Sequence, residues 1–298
     1  MSEHAFQFSG NIPAPPFTLS QSGVSQVPIL IAVPHAGRAY GADLLARMRQ
    51  PDLARLKLED RLVDRIAQIV AANTGAPLLV AHAPRALLDL NRAPDDMDWS
   101  MLSGAHDKRL AHRREGPRAR SGLGIIPRRL PSSGEIWRGQ LPVEEYEARI
   151  EGVHRPYHDA LAAQLAAIRR RWGAALLLDL HSMPPLGPGG AQFVVGDRFG
   201  SSCGSFVPAL ALSTLSRAGY TAGHNRPYAG GYVLDRHAAP SREVHAMQLE
   251  ICRSLYLDEA LDGPGPGLEE TANAVTQLVR TLAAEVAARG TAGAIAAE

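Results

Sequence analysis

The stretch AALLLDLHSMPP, residues 174 to 185, limits what this chain can fold into more than any other. Six of its first seven residues are apolar. Side chains of a strand alternate between its two faces, so a run without polar alternation is apolar on both and needs cover on both. VPILIAV (27–33), which ends at Pro34, has the same character. Further strands are expected at 76–84, 85–91 and 191–197, with strand-like runs at 230–236 and 246–253.

Helical patterns lie between them. They cover 53–75, closing at Gly75; 143–173, bent near Pro156; 205–219, closing at Gly219; and an amphipathic tail at 268–290, expected to pack on the chain's own sheet. Alternating strands and helices predict an α/β fold with a mixed, mainly parallel sheet and helices on both faces. One domain over residues 1–298 is expected, carrying an irregular Arg-, Pro- and Gly-rich insertion around 92–141. An insertion of that length reads as a functional lid or a partly ordered loop.

Composition removes several classes of function. The formal net charge is +1, and the arginines of 108–129 have no aromatic residues interleaved, so no nucleic-acid partner is expected. The N-terminus lacks a basic start followed by an apolar run, and no apolar stretch approaches roughly 18 residues, so neither a signal peptide nor a membrane span is expected. The two cysteines, Cys203 and Cys252, are too few for a disulfide framework and fit a reducing cytoplasm. Any metal must therefore be held by histidines and carboxylates. Nucleotide-binding glycine loops, a serine-nucleophile elbow and the H-E-x-x-H zinc motif are all missing.

In open α/β sheets, ligands bind beyond the carboxyl ends of the strands. There the sequence offers His35 after 27–33, Asn91 and Arg92 after 85–91, His181 and Ser182 after 174–180, and Arg198 after 191–197. Two imidazoles and a carboxylate on one edge form the three-ligand set of a catalytic zinc, with a position left for water. The carboxylate is expected from Glu59, Asp60 or Asp64, the last two sharing a helix face four residues apart. Asp179 leaves the strand on the same face as His181 and is placed to orient that imidazole.

Seven segments taken in order resemble the N-formylglutamate amidohydrolase family. They are VPHAGRAY (33–40), LEDRLVDRI (58–66), LLDLNRAP (87–94), LLDLHSMP (177–184), VGDRFG (195–200), GHNRPYAGGYV (223–233) and MQLEICRSLYLDE (247–259). The resemblance implies a zinc-carboxypeptidase-like (phosphorylase/hydrolase-like) α/β fold and zinc-dependent hydrolysis of an N-acyl, typically N-formyl, amino acid. It implies Zn2+ on His35, His181 and a carboxylate of the LEDRLVD segment, with Asp60 preferred over Glu59 and Asp64, and catalysis by Glu250. Substrate carboxylates would be held by Arg92 beside Asn91 and by Arg226 beside Asn225, in a pocket shaped by Tyr228, Gly230 and Gly231. Arg198, Arg236, Arg128 and Arg129 rank below these. Arg61 stands next to Asp60 where glutamate-specific members carry Trp, so the resemblance leaves the amino-acid moiety open.

The implied partner is a small N-acyl amino acid, with monomer and homodimer both compatible with the sequence. Two alternatives are a related zinc amidase or small-peptide carboxypeptidase, and a binding protein that has kept the fold without the chemistry. The second predicts a lost ligand or a lost glutamate, whereas His35, Asp60, His181 and Glu250 are all present.

Overall fold

Residues 29–33 and 175–183 are buried without a break, and they lie side by side at the centre of a seven-stranded sheet in a computed structural model of the chain. The structure describes residues 15–20, 25–103, 115–130 and 133–295, with side chains to 291. Most of the 92–141 segment is described, while residues 104–114 and 131–132, including part of its arginine-rich stretch, lie outside the described residues. Residues cluster into two compact units. One comprises Met1–Phe17, Gly37–Glu59 and Ala81–His158; the other comprises Thr18–Ala36, Asp60–Val80 and Asp159–Glu298.

The second, larger unit is built on the sheet. Its strands are β1 (Phe17–Ser20), β2 (Ile29–Val33), β3 (Leu78–Ala81), β4 (Ala175–Met183), β5 (Phe193–Gly196), β6 (Ala222–His224) and β7 (Val244–Cys252), ordered β1-β3-β2-β4-β7-β5-β6. β3–β2, β2–β4, β4–β7 and β5–β6 are parallel, and β7–β5 is antiparallel. The expected mixed, mainly parallel sheet is therefore present.

One face of the sheet carries Ile29, Ile31, Val33, Leu176, Leu178, Leu180, Met247, Leu249 and Ile251. These side chains form a core with three helices, α3 (Val63–Thr74), α7 (Phe206–Arg217) and α9 (Leu268–Ile295). α3 contributes Val63, Ile66, Ala67, Val70 and Ala71, the spacing of one helical stripe. The amphipathic tail thus packs on its own unit. The alternate residues, among them Asp179, His181, Gln248 and Glu250, leave the opposite face. α8 (Tyr232–His237) packs against β4 and β7, and its Val233 and Leu234 share no cluster with α3, α7 and α9.

The smaller unit holds α1 (Ala42–Ala46), α2 (Pro51–Leu58), α4 (Pro117–Arg120) and α5 (Val143–Arg149). A π-helical turn, Ile150–His154, leads into α6 (Arg155–Trp172), which continues into the larger unit. Two pairs of two-residue strands and a core of Met48, Leu58, Ala86, Leu130 and Ile136 complete it. No helix among the described residues is long and apolar enough to cross a membrane.

Several expectations are corrected. The 85–91 run is a turn, because Leu87 and Leu88 amides return to the Pro84 carbonyl and the buried leucines fill a core instead of pairing in a sheet. The 230–236 run is the start of α8: Gly231 caps it, and Val233, Leu234 and His237 are buried at helical spacing. The helix predicted over 53–75 is two helices, α2 and α3, interrupted at 59–62. Leu62 there takes a left-handed φ of 55°, and the Asp60 amide donates to the His35 carbonyl at 2.9 Å. Asp60 is therefore not on a helix and shares no helix face with Asp64. β4 also runs three residues beyond its expected end, so His181 sits inside a strand.

Candidate metal centre

His35 sits in the turn after β2, Asp60 in the interruption before α3, and His181 on β4. One ligand atom from each lies within 4.8 Å of the others, and all three residues are buried. The His35 and His181 rings meet edge to face with centroids 4.7 Å apart. Asp60 Oδ2 lies 3.0 Å from His181 Nδ1 and 3.5 Å from His35 Nδ1. Of the three carboxylates the sequence offered, this cluster uses Asp60. Glu59 closes α2 in the smaller unit, with Arg55 at 3.8 Å, and Asp64 lies in the first turn of α3.

The other nitrogen of His181, Nε2, lies 2.8 Å from Asp179 Oδ2 and donates to it, which turns Nδ1 toward Asp60. Burial opposes charge on both members of the His181–Asp60 pair, and the hydrogen bonds outweigh it. His181 and His35 hold Asp60 well below the usual carboxylate range, and Asp179 with Asp60 holds His181 well above the usual imidazole range. Two buried carboxylates around these imidazoles call for positive charge, which a proton on His181 or a divalent cation supplies equally well. Nitrogen and carboxylate donors in threes, with one imidazole tied back to a second carboxylate, suit zinc.

β7 brings a second pair of polar residues to the same face. Glu250 is the register partner of His181, and Gln248 that of Asp179. Both are buried, and Gln248 Nε2 donates to Glu250 Oε1 at 2.9 Å, fixing the carboxylate's orientation. Arg253, three residues on, donates to Ser182 Oγ at 3.1 Å and lies 3.4 Å from Asp60 Oδ1. Its guanidinium is a cation at the cluster that residue patterns had not singled out. The signal available was only its place at the end of the strand that bears Glu250.

The loop that carries Asn225 to Gly231 also reaches this face. Gly196 pairs with Gln248, and a Cβ there would come within 2.7 Å of the Ala229 backbone, so the loop crosses directly over it. Gly230 is left-handed, with φ 100°. Tyr228 packs with Met183, Val194 and Cys252, and Val194 is Glu250's neighbour across the β7–β5 pair. Arg226 is exposed and precedes a cis proline. Asn225 is buried, and its amide is engaged with Asp197: Nδ2 donates to Oδ1 at 2.6 Å, and Oδ1 accepts the Asp197 amide at 3.0 Å. Arg198 pairs with Asp235 at 2.6 Å. Arg61 turns to Asp262, and the Tyr256 hydroxyl donates to its carbonyl at 2.6 Å.

Asn91 and Arg92 belong to the smaller unit. Asp89 Oδ1 accepts the Asn91 amide at 2.8 Å, and Arg92 donates from Nε to the Leu123 carbonyl and from Nη1 to the Asn91 carbonyl. Burial pulls the Arg92 guanidinium down, against the pull of Asp89. His154 and His158, their rings tilted at 48° with centroids 4.3 Å apart, donate from Nε2 to the carbonyls of Arg92 and Leu90. Carbonyls only accept, so both imidazoles carry their proton on Nε2. A π-helical turn places His154, a signal that sequence periodicity does not carry. Arg128 pairs with Asp98 at 2.8 Å, and Arg129 lies in the short strand opposite Glu135.

A family profile described as N-formylglutamate amidohydrolase matches residues 27–257. The N-formylglutamate deformylase of Pseudomonas aeruginosa is 30% identical over 277 residues, covering 89% of this chain and 94% of its own. That of Pseudomonas putida is 29% identical over 242 residues, covering 78% and 83%. The crystal structure of N-formylglutamate amidohydrolase from Ralstonia eutropha JMP134 superposes with a TM-score of 0.81 at 31% identity, over 91% of this chain and 98% of that one.

Proposed function

The chain belongs to the N-formylglutamate amidohydrolase family, and from that premise we propose that it hydrolyses the N-formyl amide of an amino acid. The substrate we favour is N-formyl-L-glutamate, giving L-glutamate and formate. One observation carries the reading: a buried His35–Asp60–His181 cluster with Glu250 in register beside it.

In this proposal His35, Asp60 and His181 would hold Zn2+. When bound, zinc lowers the pKa of a water to about 7 and polarises a carbonyl oxygen. Asp179 keeps the proton of His181 on Nε2 and so keeps Nδ1 available as a ligand. A carboxylate oxygen of Glu250 accepts a proton from the attacking water and returns it to the amide nitrogen as the C–N bond breaks. Water supplies the oxygen of formate, and the amine leaves with the returned proton. Gln248 holds Glu250 in place for both transfers. Arg253 steadies Asp60 and adds positive charge where negative charge develops on the formyl oxygen.

The glutamate carboxylates need fixed cationic donors, for which guanidinium forks are suited. Arg226 is the donor proposed from the larger unit, with Tyr228, Gly230 and Gly231 shaping the wall beside it. Asn91 and Arg92 carry the same proposal from the family pattern alone. Two buried, free cysteines fit work in the cytoplasm.

The test is metal content by elemental analysis, combined with formate release from N-formyl-L-glutamate before and after chelation. About one zinc per chain and chelator-sensitive formate release support the proposal. Zinc with formate released only from other N-formyl amino acids would replace the substrate and keep the chemistry. A metal-loaded chain that releases no formate from any of them would overturn it.

A further inference from the structure

At the opposite ends of β4 and β7, the larger unit carries an open groove of about 340 Å3. Val244 lines it and pairs with Ala175, whereas Glu250 pairs with His181. Groove and metal cluster are therefore six strand positions apart, about 20 Å at the usual rise of a strand.

Four arginines line this one concavity, with His237 beside them: Arg169 and Arg170 from the last turn of α6, Arg236 from α8, and Arg242 from the turn that follows. Among the described residues, no acidic residue lines it. None of the four forms an ion pair among the described residues. Their hydrogen bonds go to uncharged acceptors, Arg169 Nε to the Arg242 carbonyl at 2.6 Å and Arg236 Nη1 to the Tyr232 hydroxyl at 3.3 Å. The acids adjacent in sequence are engaged elsewhere, Asp235 with Arg198 and Glu243 with His245. The negative ends of α6 and α8 offset part of the charge on Arg169, Arg170 and Arg236. Arg242, on a single turn, has no such partner.

We propose that this groove binds a compact polyphosphate anion. Four cationic forks around one hollow match an anion of several charges with many acceptor oxygens, and a single carboxylate would leave most of that charge unanswered. The chemistry fits inorganic triphosphate and a nucleoside triphosphate alike. Leu165 and Val244 offer the latter an apolar floor for its base. The site is independent of the chemistry assigned to the metal cluster.

Calorimetric titration of the full chain with sodium triphosphate, ATP and a short single-stranded oligonucleotide tests this at about 150 mM salt. The comparison protein is the double variant Arg170→Ala/Arg242→Ala. Both positions are exposed, and an unchanged circular dichroism spectrum and melting temperature establish that the variant is folded. Binding of a triphosphate to the wild type, weakened about tenfold or more in the variant, is the expected result, since each charge-assisted hydrogen bond lost is worth that much. Tighter binding of ATP than of triphosphate identifies a nucleotide as the source, and equal binding identifies the polyphosphate chain alone. No binding of either, equal affinity in the variant, or a preference for the oligonucleotide would overturn the proposal.

Discussion

His181 and Glu250 are register partners on adjacent parallel strands, and their side chains leave the same face of the sheet. Each is held by a residue two positions earlier on its own strand, His181 by Asp179 and Glu250 by Gln248. The proposed ligand and the proposed proton carrier are thus positioned by one repeated arrangement.

Glu250→Gln separates the two functions. It keeps the shape and the contact with Gln248 and removes the basic oxygen. Zinc content is expected to stay at the wild-type level while kcat for formate release falls by about 100- to 10,000-fold, the usual worth of a general acid–base group. Elemental analysis and a formate assay on the same preparation decide it, and a variant that retains more than a tenth of the rate rules out Glu250 as proton carrier.

Asp179→Ala should act through His181. Without its acceptor, the Nε2 proton is no longer fixed, and zinc affinity is expected to fall by about 10- to 100-fold. Competition with a chromogenic chelator measures this directly. The rate at saturating zinc should recover substantially, which would not happen if Asp179 touched the substrate.

Asp197 predicts a particular acid sensitivity. Burial raises its pKa, and donation from Asn225 and the Gly200 amide, together with His224, outweighs that, so the folded value lies below the ordinary one. Cys203 also faces it, its thiol pushed up to about 12 by burial and by Asp197, so that it stays neutral throughout. A carboxylate with a depressed folded pKa stabilises fully above its unfolded value, near 3.9, and the contribution fades as pH falls through the folded value. Asp197→Asn should therefore be less stable than wild type at pH 7, with the gap closing below about pH 4. Urea denaturation across that range measures it, and a gap independent of pH would exclude this role.

Gly196→Ala should disturb the loop over the sheet. A methyl group there meets the Ala229 and Gly230 backbone at 2.7 and 2.9 Å, so loop or strand must shift. A stability loss of about 1–3 kcal/mol is expected from overpacking. If Tyr228 and Arg226 hold the substrate, KM rises more than kcat falls. Steady-state kinetics beside a denaturation curve distinguish a displaced loop from general loosening.

The central strands were legible because their signal is local: apolar runs such as ILIAV and ALLLDL have few other places to go, whereas the short edge strands Phe17–Ser20 and Ala222–His224 carry no such run. Histidines at 35 and 181 and Asp179's orientation followed from strand ends and from period two. The interruption at 59–62 was not legible, since DRLVDRI continues the helical phase and only the distant His35 carbonyl breaks it. GGYVLDR has strand composition, but a left-handed glycine and an N-cap start a helix there. Arg253, His154 and His158 escaped notice because their partners lie 62 or more residues away in sequence. The bond between the Asn225 amide and Asp197 spans 28 residues, and no local pattern carries it.

The interruption between α2 and α3 bears on redesign. A protein engineer seeking thermal stability would naturally smooth residues 53–75 into one unbroken helix, relieving left-handed Leu62 and adding backbone hydrogen bonds. Such a chain would be expected to gain helix content and tolerate heat better. It would also carry the Asp60 backbone away from the His35 carbonyl, and the carboxylate with it. In this stretch, the local irregularity is what the cluster depends on, and a stabilised variant would have to leave it uncorrected.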